Sequence, residues 1–303
     1  MRTLACLAVA GLFISLPATA QPDNWQLVRE KTEERLREIA GETRGVLGFA
    51  AVDLTSGERF GVNENLVFPQ GSAIKVPILI EVYKQAGEGK FKLADRLLVR
   101  KISQVGGDGV LRHFGDVTSE LSLRDLAVLM IVLSDNTAAN ILIELVGKES
   151  VNGTLTSLGF TKTRLQRKMM DLDALARSED NLSTPAEAAR LMELLYRCEI
   201  LNRAACDDIL SLLKRAEGSE IRKALPAELP VASKTGSIPG VRTEWALVFL
   251  EQRPYVVVVM ESYSLEDEAG RDLREVSRVL YDYFRRRACS NRYGACVDPQ
   301  QMH

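Results

Sequence analysis

The feature that most constrains the fold is the placement of strand patterns at both ends of the chain, with a long helical stretch between them. Residues 71–213 repeat their apolar side chains mostly at helical spacing. The strand patterns are Val46 to Leu54 and Arg59 to Val62 near the start, and Val231 to Ser237, Glu244 to Leu250 and Tyr255 to Ser262 near the end. An isolated hairpin is only marginally stable, so the strands from both ends are expected to pair in one sheet. This order predicts an α+β fold, a five-stranded antiparallel sheet with an inserted helical domain.

Amphipathic helices are expected to flank this sheet. The first begins at a cap, Asp23, and runs to about Ile39 before Gly41, and the second runs over about residues 265–287. A chain of 303 residues can bury the core that this arrangement needs. The expected units are a discontinuous α/β sheet domain of residues 21–65 and 215–303, and an all-helical domain of residues 66–214.

The first twenty residues have the pattern of a secretory signal peptide. Arg2 supplies a positive charge, an apolar run from Leu4 to Leu16 follows, and residues 18–20 form a small-x-small cleavage site. The apolar run is too short for a transmembrane helix. The sequence therefore predicts a mature protein that begins near Gln21, is exported to the periplasm or secreted, and has no stable membrane insertion after the signal is removed.

Four cysteines remain after this segment, and an even number in an oxidising compartment favours disulfide bonds. The simplest of three possible pairings joins Cys198 to Cys206 and Cys289 to Cys296. The two histidines, His113 and His303, do not provide the ligand spacing of a zinc site. We expect neither a metal nor another cofactor.

The charge of the chain argues against one class of partner. A formal net charge of −2 and a pI near 5.9 give no electrostatic footprint for nucleic acid. Arg285, Arg286 and Arg287 form a basic run near the C-terminus, and such short runs are typically solvated helix faces.

A serine nucleophile in this chain needs a base other than histidine, because His113 has no nucleophile pattern near it. Lysine can take this role when burial or a nearby cation lowers its pKa. Ser72 follows a turn at residues 69–71, and Lys75 opens an apolar helix, so the two side chains share one helix face. The helix N-terminus there would also offer free N–H groups to an oxyanion.

One Ser-x-x-Lys match is weak evidence, since a second occurs at Ser211 and Lys214 on an ordinary amphipathic helix. Two later motifs distinguish the first match. They are Ser134-Asp135-Asn136 after an apolar run and Lys234-Thr235-Gly236 after a predicted strand start.

Together the three motifs resemble the signature of class A β-lactamases and penicillin-binding proteins. The resemblance covers essentially the whole mature chain. It implies a β-lactamase-like fold whose active site lies in the crevice between the sheet and the helical domain.

The resemblance also implies roles. Ser72 attacks the amide carbonyl, and Lys75 takes its proton. Ser134 passes a proton to the leaving nitrogen, and the N–H groups of Ser72 and Ser237 form the oxyanion hole. The catalytic set is Ser72, Lys75, Ser134 and Lys234, and the substrate-binding set is Asn136, Thr235, Gly236, Ser237 and Arg242.

The residues around the catalytic serine are also expected to have individual roles. Asn136 would hold the substrate amide, while Lys234 and Thr235 would bind its carboxylate. Arg242 is the better candidate for a further carboxylate contact, since Arg222 is more typical of a solvated helix charge. Asp135 is more typical of a helix cap.

The resemblance fails at one position. Class A enzymes carry a glutamate that activates the water releasing the acyl-enzyme, and counting forward from Thr163-Arg164-Leu165 and Arg167 places Met169 there. A thioether cannot accept a proton from water. Either Asp171 or Asp173 replaces the glutamate, or the acyl-enzyme is hydrolysed slowly. Caps or loop salt bridges are the ordinary roles of these aspartates. Met169 and Met170 are typical of packing at the base of a loop, and the family implies that Arg167 pairs with Glu179 or Asp180.

The sequence therefore predicts a serine hydrolase of the β-lactamase type, expected to be a monomer, that acts on a small-molecule β-lactam or a D-Ala-D-Ala-like peptide. The first alternative is a penicillin-binding D-alanyl-D-alanine carboxypeptidase or an esterase with slow β-lactam turnover. An inactive β-lactam-binding sensor domain is a third, which the intact nucleophile and lysines disfavour.

Overall fold

A computed structural model describes residues 24–115 and 119–296 of the chain. Three short 3-10 turns lie at Gly71–Ile74, Lys101–Ser103 and Leu111–His113. In chain order the helices and strands are α1 (Asn24–Glu42), β1 (Val46–Asp53), β2 (Arg59–Val62), β3 (Phe68–Pro69), α2 (Lys75–Gly87), β4 (Arg96–Val99), β5 (Ser119–Ser122), α3 (Leu123–Val132), α4 (Asn136–Val146), α5 (Lys148–Ser157), α6 (Leu172–Ala176), β6 (Leu182–Ser183), α7 (Pro185–Arg197), α8 (Arg203–Arg215), α9 (Glu220–Ala224), β7 (Val231–Ile238), β8 (Val241–Val248), β9 (Tyr255–Ser262) and α10 (Glu266–Cys289).

The five predicted strands form one antiparallel sheet in the order β2-β1-β9-β8-β7, which confirms the predicted fold class. β1 from the start of the chain pairs along its whole length with β9 from the end, with Val46 opposite Ser262 and Asp53 opposite Tyr255. β7 occupies an edge of the sheet, so one side of this strand is open to a ligand.

Both faces of the sheet are covered, and β1 and β9 are accordingly apolar over most of their length. The inner face, with Trp245 and Met260, packs on the helices between β3 and β7, and the outer face, with Val257, packs on α1 and α10. Successive side chains of a strand alternate between faces. Lys234 therefore lies on the inner face with Ala232, and Arg242 lies on the outer face with Ala246.

The helical part contains more than helices. Two short antiparallel pairs, β3 with β6 and β4 with β5, lie within it, and helical periodicity gives no signal for such short strands. This part also shares one apolar core with the inner face of the sheet. The division at residues 65/66 and 214/215 stays a prediction.

Several boundaries differ from those expected. α1 continues through Gly41 to Glu42, and α10 continues to Cys289, beyond the expected end near residue 287. β8 begins at Val241 because the tight turn at residues 239–240 leads directly into pairing with β7. The signal segment and Asp23 lie outside the described residues.

Both disulfide bonds follow the simplest predicted pairing. Cys198 is bonded to Cys206 between α7 and α8, and Cys289 is bonded to Cys296 beyond α10. None of the helices within the described ranges is both long and apolar enough to cross a bilayer.

Candidate active site

Ser72 lies in the 3-10 turn Gly71–Ile74, and Lys75 is the first residue of α2, which continues from this turn. The spacing of three residues brings the Lys75 side chain back over the turn, with Lys75 Nζ 2.9 Å from Ser72 Oγ. Residues 75–83 are all buried, as the apolar sequence predicted. The nucleophile and its predicted base are therefore in contact at the start of a buried helix.

The Lys75 amine is surrounded by oxygen atoms. Its Nζ lies 2.6 Å from the carbonyl oxygen of Ser134, 2.8 Å from Asn136 Oδ1 and 3.2 Å from Ser134 Oγ. Carbonyl oxygens only accept hydrogen bonds, so two of the amine hydrogens are used there. In the uncharged amine, the lone pair is then left for a hydroxyl group, and Ser72 is in position to donate to it.

The pKa values of both lysines of the site are low. Burial, and then the positive charge of Lys234, lower the pKa of Lys75 well below its ordinary value, against the opposing carboxylates of Asp108 and Asp135. Burial lowers the pKa of Lys234 to about 8, against Asp108 and Glu244. Lys75 is therefore the better proton acceptor near neutral pH, and Lys234 the better cation.

Ser134 stands between the two lysines at the junction of α3 and α4. Its backbone is left-handed, with φ +55°, and its Oγ lies 3.2 Å from the Nζ atoms of both Lys75 and Lys234. This geometry suits a hydroxyl group that exchanges a proton with one amine while the other stays charged.

Asp135 caps α4, as predicted. Its carboxylate accepts from Ala138 N at 2.9 Å and also from Val110 N and Leu111 N, at 2.7 and 2.8 Å. The residue is fully buried. It therefore fixes the loop before β5 to the start of α4.

β7 passes so close to the turn of the nucleophile that only glycine fits. A Cβ on Gly236 would collide with Gln70 O and would lie 2.8 Å from Ala73 N. A Cβ on Gly71 would lie 2.8 Å from Ser237 N. The backbone of Ser237 is thus placed beside the backbone that carries Ser72, where the predicted oxyanion hole requires it.

The two arginine candidates have structural contacts. Arg242, on the outer face of the sheet, lies 3.4 Å from the buried carboxylate of Glu220. Arg222 donates to the carbonyl groups of Lys214, Ala216 and Val231, so it ties α9 to α8 and β7 and is not the solvated helix charge that was expected.

Two contributors to the site were missed by sequence reasoning. Gln70 is fully buried; its side chain donates to Phe68 O at 2.8 Å and accepts from Trp245 Nε1 at 2.9 Å, so it fixes the turn of the nucleophile to the sheet. Asp108 raises the pKa of both lysines and accepts from Asn136 N at 3.1 Å through its carbonyl oxygen. Asp108 has a sequence signal, the Gly-Gly-Asp-Gly turn at 106–109. Gln70 has none.

The loop that carries Met169 is closed by a buried ion pair. Arg167 Nε donates to Asp180 Oδ1 at 2.9 Å, which selects Asp180 over Glu179 as the partner; Glu179 pairs with Arg177. Asn140 donates to Met169 O at 3.0 Å and accepts from Met169 N at 2.8 Å. The backbone of this position is therefore fixed on α4, and its side chain is 6% exposed.

The other residues of this loop behave differently. Met170 is 40% exposed, so the predicted packing at the base of the loop is found for Met169 but not for Met170. Asp171 and Asp173 are exposed, and Asp171 caps α6 by accepting from Ala174 N at 3.0 Å. His113 is exposed as well. Within residues 24–115 and 119–296, no group of three His, Cys, Asp or Glu side chains is arranged to hold a metal ion.

The fold and this arrangement, with a lysine amine beside the serine hydroxyl group, are those of a serine hydrolase. The sequence model described as the β-lactamase enzyme family matches residues 31–284, and the chain belongs to that family.

Known proteins agree with this assignment. An imipenem-hydrolysing β-lactamase of Enterobacter cloacae is 26% identical over 259 residues, which are 82% of this chain and 88% of the relative. The structure of a β-lactamase from Sphaerobacter thermophilus is 30% identical with a TM-score of 0.77, covering 83% of this chain and 96% of that one. The L158E mutant of PBP-A, solved as its acyl-enzyme with penicillin G, is 26% identical with a TM-score of 0.79, covering 84% and 97%.

Proposed function

We propose that this protein opens the amide bond of β-lactams through a covalent acyl-enzyme on Ser72. The observation that carries the proposal is the 2.9 Å contact between Ser72 Oγ and the buried Lys75 amine, whose pKa is lowered well below its ordinary value. The family and its named β-lactamase relatives support the substrate class.

In the acylation step, Ser72 Oγ attacks the lactam carbonyl carbon while its proton passes to Lys75 Nζ. The carbonyl oxygen becomes an oxyanion facing the N–H groups of Ser72 and Ser237. The C–N bond then breaks, and the nitrogen takes a proton from Ser134, which recovers one from Lys75. The hydroxyl group of Ser134, 3.2 Å from Lys75 Nζ, provides that route.

The substrate carboxylate is assigned to Lys234 and Thr235 on the edge strand. Lys234 lies 3.2 Å from Ser134 Oγ, so a carboxylate bound there places the reacting nitrogen near the proton donor. Asn136 is assigned to the substrate amide. Arg242 is a secondary contact, because Glu220 already neutralises part of its charge.

One observation favours a second candidate, a penicillin-binding peptidase or esterase in which the acyl-enzyme persists. The count from Thr163 and Arg167 assigns Met169 to the position of the family's water-activating glutamate, and a thioether provides no base. Both candidates share the acylation machinery and differ only in how fast the ester of Ser72 is hydrolysed.

Intact-mass spectrometry after mixing with penicillin, together with nitrocefin turnover, tests the proposal. A β-lactamase shows transient labelling with turnover, whereas the second candidate shows a stable, stoichiometric adduct. Ser72→Ala is expected to abolish both, a loss of about 10⁴-fold or more. Ser211→Ala, at the other Ser-x-x-Lys match, is the matched control and should leave both unchanged. A protein that is never labelled would point to the sensor alternative and overturn the proposal.

We also infer that the protein is exported and acts as a monomer. The signal pattern of residues 1–20 and the two disulfide bonds support export, because such bonds persist in oxidising compartments. In the periplasmic or secreted fraction we expect the mass of a chain that begins at Gln21. Light scattering should give the mass of a monomer. Retention of residues 1–20 would contradict export.

A further inference from the structure

An apolar groove lies on the side of the molecule away from Ser72, where α1 and α10 cover the outer face of the sheet. We call it the terminal groove; it has a volume of about 560 Å³. Its walls include Trp25 and Val28 from α1, Arg285 and Cys289 from α10, and Arg292 and Cys296 from the loop closed by the second disulfide bond. This volume falls within the range of small-molecule sites.

The rim of the groove is cationic. Arg285, Arg286 and Arg292 line it, and the guanidinium of Arg287 lies 4.9 Å from the centre of the Trp25 ring. Within the described parts of the chain, none of these four arginines has a carboxylate at ion-pairing distance. Asp282, one turn before Arg286 on α10, lines an adjoining hollow that shares Val28 and Arg286 with the terminal groove. The arginine run is therefore more than a solvated helix face, because it borders an apolar cavity.

A comparison with the other large hollow of the surface shows that this is not the general pattern. The hollow of about 850 Å³ beside α7 and α8 also contains arginines. There Arg203 is paired with Asp207 at 3.0 Å, and Arg197 with Glu193 at 3.1 Å. That hollow is also lined by the carboxylates of Glu199 and Asp207, whereas no Asp or Glu of the described residues lines the terminal groove, so its guanidinium groups face the groove without an acid in its walls.

We propose that the terminal groove binds a single-chain amphiphile with an anionic headgroup, such as a long-chain fatty acid or an alkyl phosphate. The apolar walls would take the alkyl chain, since burying each methylene group is favourable by about 0.8 kcal/mol. The rim arginines would hold the carboxylate or phosphate. The concave shape of the groove favours one bound molecule over a flat lipid surface.

Titration of the intact protein with dodecyl phosphate, below its micelle concentration, tests this proposal. The chain has two tryptophans, and Trp245 is fully buried and bonded to Gln70, so a change in fluorescence reports on Trp25. We expect saturable one-to-one binding. Trp25→Phe should remove the fluorescence signal, with calorimetry still able to follow the binding.

The double variant Arg285→Gln/Arg292→Gln should weaken binding by about ten-fold or more. Arg278→Gln, an exposed arginine of the same helix that does not line the groove, is the matched control and should bind normally. These surface changes should leave β-lactam acylation unaffected. Dodecyl maltoside, with the same chain and no charge, should bind about ten-fold more weakly.

Four results would overturn the proposal. They are equal binding of the neutral detergent, full binding by the double arginine variant, equal binding of inorganic phosphate alone, and association with phosphatidylglycerol vesicles without any binding of the monomeric amphiphile.

Discussion

Two regions of the site differ in whether they contain the chemical groups that their proposed steps need. They are the surroundings of Ser72, proposed to form the acyl-enzyme, and the loop beside them that carries Met169. Around Ser72, the groups proposed to carry out acylation are in contact: the Lys75 amine lies 2.9 Å from Ser72 Oγ and 3.2 Å from Ser134 Oγ. The loop is fixed equally well, by Arg167 with Asp180 and by Asn140. At its centre, however, it presents the thioether of Met169. The loop is therefore held in position by its hydrogen bonds, but it lacks the carboxylate base that the family usually carries there.

The largest expected effect is on the rate of acylation. Lys75→Arg places a permanently charged group beside Ser72, and this group cannot become an uncharged base near neutral pH. Acylation by penicillin should slow by about a thousand-fold. Rapid quenching followed by intact-mass spectrometry measures this rate, and circular dichroism verifies the fold. A variant that acylates at the normal rate would show that Lys75 is not the base.

The next change supplies the loop with the group that it lacks. In Met169→Glu the backbone should keep its contacts with Asn140, and the new carboxylate is expected to accept a proton from the attacking water. Because the Met169 side chain is buried, denaturant unfolding verifies that the variant folds. Hydrolysis of the acyl-enzyme should become faster by about ten- to a hundred-fold. Met169→Gln has the same length and no base, and is the matched control. If Gln and Glu have the same effect on the lifetime of the adduct, the missing glutamate does not limit turnover.

A smaller effect concerns the pH dependence of substrate binding. The pKa of Lys234 is lowered to about 8, so this lysine is charged below pH 8 and loses its charge as the pH rises through that value. KM for a substrate with a carboxylate should therefore increase by about ten-fold between pH 7 and pH 9. Lys234→Arg stays charged and should show a flat KM over this range. A wild-type KM that does not change with pH would remove Lys234 from carboxylate binding.

The smallest effect tests the two aspartates of the loop. Asp171 caps α6 and is exposed, so Asp171→Ala should reduce the free energy of unfolding by about 1 kcal/mol. The lifetime of the acyl-enzyme should not change, and Asp173→Asn should change neither quantity. Denaturant unfolding and time-resolved mass spectrometry measure the two. A trapped adduct in either variant would instead identify that aspartate as the base that replaces the glutamate.

The local pattern was sufficient for the parts of the site that are close in sequence. The three-residue spacing from Ser72 to Lys75 predicted their contact, because a helix places such residues on one face. The cap at Asp135 was predicted for the same reason, since N-caps act within one turn. Gln70 was not predicted, because its partners Trp245 and Thr243 are more than 170 residues away in sequence and are brought to it only by the packed sheet.

The sequence by itself determined the α+β architecture, the inventory of nucleophile, lysines and cysteines, and the lack of a base at Met169. Alternating and helical periodicities and short-range motifs are properties of the chain that need no tertiary contact. The tertiary structure decided the rest: which face of the sheet Arg242 occupies, the burial that lowers the pKa values of Lys75 and Lys234, and the apolar cavity beside the terminal arginines. Burial and cross-strand register depend on contacts between residues distant in the chain, and these exist only once the two ends have paired.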